Sequence, residues 1–115
     1  MSWFGQLSLW DNSPEGQEKW RVAARNRGET FAIAVLQRWN RDRLVAKYGC
    51  INSEFYANDL AMQINCHQGY GLFRVQCGGD SWDNPCMSVV FTDSISIASL
   101  VVEMCGKENT EVVEI

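Results

Sequence analysis

Cys66 and His67 are adjacent, and Cys77 and Cys86 follow within a stretch of 21 residues, which makes this the densest set of reactive side chains in the sequence. A thiolate needs a neighbouring base or a positive field to form near neutral pH, and His67 is the single histidine, so any cysteine–histidine nucleophile must use it. Cys66 is badly placed as its partner, because consecutive side chains point to opposite faces of a strand and diverge by about 100° on a helix. That leaves Cys77 or Cys86, brought near by folding. The same four residues are the candidate ligands for a soft or borderline metal such as zinc. Structural zinc usually takes paired ligands two to four residues apart, whereas here the intervals are one, ten and nine. No local signature supports either chemistry, so no catalytic, metal or cofactor residue is assigned.

Two glycine-rich segments invite comparison with phosphate-binding loops. Gly69-Tyr70-Gly71 runs into Leu72-Phe73-Arg74-Val75, a strand pattern rather than the helix whose N-terminus would face a phosphate, and no Gly-Lys-Ser/Thr sequence occurs. Gly78-Gly79-Asp80-Ser81-Trp82-Asp83-Asn84-Pro85 reads as a loop. Its two aspartates are spaced for acid–base work or a cation, but nothing else in the segment completes such a site. A tryptophan flanked by aspartates in a glycine- and proline-bounded loop does combine a hydrophobic anchor with steering charge. Asp80, Trp82 and Asp83 are therefore the candidate partner-binding residues, with Trp82 folded onto the core as the competing reading.

Charge is divided unevenly along the chain. Residues 1–49 carry eight of the ten cations against five acids, and residues 50–115 carry nine acids against Arg74 and Lys107, for a net charge of −4. Such asymmetry bears on partners rather than on fold. Trp20 and Trp39 are interleaved with Lys19, Arg21, Arg25, Arg38, Arg41 and Arg43, a composition suited to phosphate contacts and base stacking. The acidic balance of the whole chain opposes that use, since nucleic-acid affinity grows with positive charge.

At 115 residues, 46% hydrophobic and 21% charged, the chain is too apolar for intrinsic disorder and is expected to form one globular domain over residues 1–115. No apolar run approaches the ~20 residues of a membrane span. The N-terminus lacks the pattern of a secretory signal, and the five cysteines are an odd number. The expectation is a cytoplasmic protein with reduced, mostly buried cysteines.

The elements that must position these groups follow from periodicity. Ser13 and Pro14 predict a helix start, with Gly28 as its stop. Residues 29–48 place Phe31, Ala32, Val35, Leu36, Trp39 and Ala46 on one side at helical spacing, which predicts a central helix ended by Gly49. Ser53 predicts the cap of a third helix that ends before Gly69, with a hairpin of 60–66 and 71–77 as the alternative. Residues 72–77 and 87–92 read as antiparallel strands. Asp93-Ser94 caps a helix through Cys105 by its five-point spacing, although Ile95-Ser96-Ile97 would also suit a hairpin. Residues 111–115 close as a short strand. The central helix is expected to bury Phe31, Val35, Leu36 and Trp39 against Phe73, Val75, Val89 and Phe91.

The fold class expected is thus α+β, with N-terminal helices packed on a small antiparallel sheet formed by the C-terminal half. No resemblance to a family accompanies it. Tryptophan and arginine dominate interface hot spots. The first functional reading is accordingly a small acidic protein-binding module, an inhibitor or neutraliser of the immunity or phage counter-defence type, which occludes a partner with a basic surface. Two alternatives stay open: a nucleic-acid-binding regulator using the basic region 19–47, and a small cysteine/histidine-dependent enzyme. No cofactor and no membrane association are expected.

Overall fold

Phe31-Ala32-Ile33-Ala34-Val35-Leu36 is an unbroken apolar run, and it forms a strand, β1 (Phe31–Leu36), at the centre of the molecule. The computed structural model describes residues 13–49, 53–67, 71–77 and 87–115. Among them β1 is followed by α2 (Arg41–Tyr48), α3 (Ser53–Cys66), β2 (Phe73–Cys77), β3 (Met87–Thr92), α4 (Ile95–Cys105) and β4 (Thr110–Glu114), and is preceded by α1 (Pro14–Asn26). The sheet order is β2-β3-β1-β4, and every neighbouring pair is antiparallel. Two crossovers, β1 to β2 through α2 and α3 and β3 to β4 through α4, interleave as in the split βαβ (ferredoxin-like) topology. The fold is α+β, with N-terminal helices packed on an antiparallel sheet to which the C-terminal half gives three of the four strands.

Register decides which residues meet which helix. On one face Ile33, Val35, Val90, Phe73 and Val75 pack with Leu60 and Ile64 of α3 and with Ile97, Val101 and Cys105 of α4. On the other, Ala32, Ala34, Met87, Val89 and Phe91 pack against Ala24 and Trp20 of α1. The alternation of β1 is therefore one of size, with alanines toward α1 and branched residues toward α3 and α4, because a strand buried on both faces has no polar face to show. Trp20 meets Phe91 edge to face, with ring centroids 6.1 Å apart.

Local signals hold at most of the helix ends. The Ser13 hydroxyl accepts from Gly16 N at 3.1 Å with Pro14 in the first turn, and Ser94 accepts from Ile97 N at 3.2 Å. Gly49 closes α2 in the left-handed region at φ 77°. Gly71 has φ 129°, and a Cβ there would fall 2.4 Å from Ser94 Cβ, so this glycine lets the chain entering β2 pass against the cap of α4.

The central helix expected over residues 29–48 is corrected: residues 31–36 are a strand and only Arg41–Tyr48 is α-helical. The spacing that mimicked a helical stripe is what two-sided burial produces when every position is apolar. The packing expected for that helix falls with it. Phe73 and Val75 face α3 and α4, Val89 and Phe91 face α1, and Trp39, expected in the core, is 48% exposed.

This orientation fixes a contrast in stability. Ile33→Ala, in the middle of the buried strand, is expected to cost about 2–5 kcal/mol in urea unfolding, whereas Trp39→Ala should stay within about 1 kcal/mol of wild type. A Trp39→Ala loss as large as that of Ile33→Ala would return Trp39 to the core.

Candidate functional site

The end of β1, the end of β2 and the start of β3 lie together at one end of the sheet. Met87, where residues 78–86 re-enter the sheet, pairs with Leu36, and Cys77, where they leave it, pairs with Ser88. Leu36 leads at once into Gln37 and a 3-10 turn, Arg38–Asn40, continued by α2. Asp80, Trp82 and Asp83 themselves lie outside the described residues.

The turn and α2 are held from behind by buried polar groups. Gln37 is fully buried and its Nε2 donates to Tyr56 O at 2.9 Å and to Ser88 Oγ at 3.3 Å, tying the exit of β1 to α3 and β3. Asn40 Nδ2 donates to Asp59 Oδ2 at 2.7 Å, while Asn40 Oδ1 accepts from Arg43 Nε at 2.7 Å. Arg43 Nη2 lies 2.9 and 2.8 Å from the two oxygens of Asp59, which also accepts from Gln63 Nε2. Beneath them Leu44 packs on Tyr56 and Leu36. Gln37 Oε1 is buried without a hydrogen-bond partner, so it is the donated bonds of Gln37 and the Asn40–Arg43–Asp59–Gln63 network that fix the geometry, because a slip would leave further groups unpaired out of water.

That anchoring turns the remaining side chains outward. Arg38, Trp39, Arg41 and Lys47 are exposed, and Tyr48 is 39% exposed while stacked on Phe55 at 4.4 Å between centroids and 20° between planes. Lys47 Nζ sits 5.2 Å from the Tyr48 ring centroid. The result is a ledge of two aromatics and three cations, with Arg43 at its edge engaged with Asp59 and with Asp42 as the acid on the same helix.

A second polar cluster lies at the opposite end of β1. Glu29 accepts from Arg27 Nε at 3.0 Å and from Arg74 Nε and Nη2 at 3.2 and 3.3 Å, and the Arg74 guanidinium lies 4.2 Å from the Phe91 ring centroid. A cavity of about 150 Å³ is lined by these groups, Asp93 and Thr92. Here the arginines are spent on Glu29, so the cluster clamps the start of β1 to β2 rather than presenting free charge. Arg21 is engaged at this end too, donating to Glu114 O at 3.1 Å, and Glu114 pairs with Phe31. The cations of 19–27 and those of 38–47 are thus not one helical face: β1 stands between them, about 17 Å long at roughly 3.4 Å per residue.

Among the described residues the thiol and imidazole candidates form no recognisable site. Cys66 and His67 are exposed at the end of α3, Cys77 is half-buried in β2, and Cys86 lies outside the described residues. Cys105 is buried under α4, and burial pushes its thiol up to about 11, which keeps it protonated. Among the described residues no three His, Cys, Asp or Glu side chains gather as metal ligands, and no helix is long and apolar enough to cross a membrane. Comparison with family models, curated proteins and solved structures finds no match to this chain.

Sequence reasoning missed the anchor: Gln37, Asn40, Arg43, Asp59 and Gln63. The available signal was Asp59-x-x-x-Gln63, an i, i+4 pair on a helix whose other inward positions are apolar. Burial works to raise the pKa of Asp59, and the hydrogen bonds from Arg43, Asn40 and Gln63 together with the Arg43 charge outweigh it, so the carboxyl is held below its ordinary value. A carboxylate lowered in the folded state adds stability that is complete above the unfolded value near 4 and is lost as pH falls through the folded value. Asp59→Asn should cost about 1–3 kcal/mol near neutral pH. In urea unfolding the gap between wild type and Asp59→Asn should hold steady from about pH 7 to 5 and narrow on acidification below about pH 4. A gap independent of pH would separate the carboxylate charge from the anchor.

Proposed function

We propose that this protein is a binding module that acts by occupying the surface of another protein, as a small inhibitor or neutraliser would, with the Trp39 ledge as its anchor. The observation that carries the reading is a tryptophan 48% exposed between the exposed Arg38 and Arg41, on a segment fixed from behind by the Asp59 and Gln37 hydrogen bonds. Trp, Tyr and Arg are the residues that carry most interface energy, and anchors held in place before binding lose less entropy on docking. The partner is acidic where it meets the ledge. Asp80, Trp82 and Asp83, between β2 and β3 in the sequence, remain the residues offered to a basic patch on that partner. The reading places the encounter in the cytoplasm, with Cys66, Cys77 and Cys105 as free thiols.

Nucleic acid would use the same residues of the ledge. It is the weaker reading because the cations of 19–27 do not extend the ledge and nine acids in residues 50–115 oppose a long polyanion. A bounded patch suits a protein contact better than a groove that follows a backbone.

The test places the photo-crosslinking residue p-benzoylphenylalanine at exposed position Ala46 and compares wild-type with Trp39→Ala and Arg38→Glu/Arg41→Glu backgrounds in the native host. The expected result is one predominant crosslinked protein, reduced at least about tenfold in both variants at unchanged melting temperature, as for a hot spot worth about 1.4 kcal/mol or more. Crosslinking indifferent to both changes removes the ledge from the interface. Saturable binding of a single-stranded oligonucleotide that Trp39→Ala abolishes would replace the protein partner by nucleic acid.

A further inference from the structure

We infer that β2 is a dimerisation edge, at which a second copy of this chain pairs antiparallel about a two-fold axis through Val75 to continue the sheet. The sheet ends in two edge strands, β2 and β4. Backbone groups on an open edge are a template for another strand, and proteins that keep an edge single usually blunt it with charge, proline or a bulge. β4 carries Glu111 and Glu114, so a second copy arriving there meets its own acids. β2 is Phe73-Arg74-Val75-Gln76-Cys77, without proline or acid; its one charge, Arg74, is turned onto Glu29, and among the described residues the strand pairs with β3 alone.

Register then selects the occupant. Opposed residues in an antiparallel pair share a face, so a two-fold pairing preserves apolar against apolar only when its axis passes through a residue. An axis through Val75, the middle of the strand, pairs all five positions: Val75 with itself, Phe73 with Cys77, and Arg74 with Gln76. An axis through Arg74 sets two like charges face to face, and one through Gln76 leaves Phe73 without an apolar partner. In the monomer Arg74 Nη1 already donates to Gln76 Oε1 at 2.9 Å, so the pairing chemistry of the proposed contact is one this surface makes.

The flank of the edge leaves room for the second strand's side chains. A groove of about 450 Å³ runs between α3 and β2, where the small Ala57 and Ala61 stand over Phe73 and Val75, with Asn58 and Asn65 at its rim and Leu72, 86% exposed, at its mouth. Its lining is mixed, with Asn58 and Asn65 beside apolar side chains and no charged residue, which suits the uncharged side chains of a second β2 better than a charged ligand. A five-residue pairing of this size falls in the range of weak, reversible association. The resulting particle presents two copies of the Trp39 ledge, whose binding would gain from bivalency.

Sedimentation velocity of the full chain from about 1 µM to 1 mM, a range suited to a weak interface, is expected to show a reversible monomer–dimer equilibrium. Gln76→Glu sets a carboxylate opposite Arg74 of the second copy, and Gln76→Lys sets a cation there. With two such pairs per dimer, the first should tighten association and the second weaken it, each by roughly 2- to 30-fold. Val75→Cys under mild oxidation should give a disulfide between the two introduced thiols, identified by peptide mapping, since opposed strand residues lie within disulfide reach. This second readout stands if a Gln76 variant fails to fold. A chain monomeric at 1 mM, equal dissociation constants for the two Gln76 variants, or a disulfide that joins the introduced thiol to a native cysteine instead of to its own copy overturns the proposal. So does a monomer that takes a synthetic peptide of residues 71–77 in another register, which would make the edge a site for a foreign strand.

Discussion

Burial of β1 on both faces and along both edges is the constraint from which the rest of the structure follows. Its positions 32–35 are solvent-free, and it pairs with β3 on one side and β4 on the other. A strand so placed cannot leave a backbone group unpaired, so both neighbours are obligatory, and each of its faces needs a helical cover. The alanines at 32 and 34 let α1 approach closely, with Ala24 at the contact, while Ile33 and Val35 fill the deeper layer under α3 and α4. In the split βαβ topology one sheet face is free of crossover helices; here α1, which precedes the first strand, covers it.

The position of β1 also sorts the charge. Because the strand separates α1 from α2, the basic half of the sequence is cut into two groups with different fates. At the start of β1 the arginines are engaged: Arg27 and Arg74 share Glu29, and Arg21 reaches the carbonyl of Glu114. At its end only Arg43 is spent on a carboxylate, that of Asp59, and Arg38, Arg41 and Lys47 remain in water beside Trp39 and Tyr48. Exposed ion pairs contribute little to stability, so the difference between the two ends matters for what each surface can attract rather than for how firmly it folds.

Most elements were legible because their ends carry local chemistry. Ser13-Pro14, Gly49, Ser53 and Asp93-Ser94 marked helix limits, and the strands at 72–77 and 87–92 were bounded by turn residues on at least one side. The helix through Cys105 was readable over a hairpin because its spacing and Gly106 agreed, despite β-branched residues in its first turn. Residues 31–36 were not readable by the same means. Their burial comes from contacts with Val89, Phe91 and Val113, far along the chain, and an all-apolar segment of six has no period that separates strand from helix. The error carried over to Trp39, whose place depended on it. The polar anchor was hidden for a related reason: Gln37, Asn40 and Asp59 read as surface residues until the fold supplies each with a partner.

The relation between anchor and ledge shows why such buried polar groups are kept. Replacing Gln37, Asn40 and Asp59 by apolar residues of similar shape would cost the core little, since a hydrogen-bonded polar group is worth only about 1 kcal/mol net and an apolar isostere recovers burial energy. It would remove, however, the directional contacts that set the turn between β1 and α2. Apolar packing tolerates sliding by small distances, while Asn40 and Arg43 must both meet one carboxylate and Gln37 must reach a carbonyl of α3 and a hydroxyl of β3 at once. The direction of Trp39 and Arg38 out of the fold is the consequence. Specific positioning of exposed aromatics, rather than extra stability, is what this arrangement of donors and acceptors supplies.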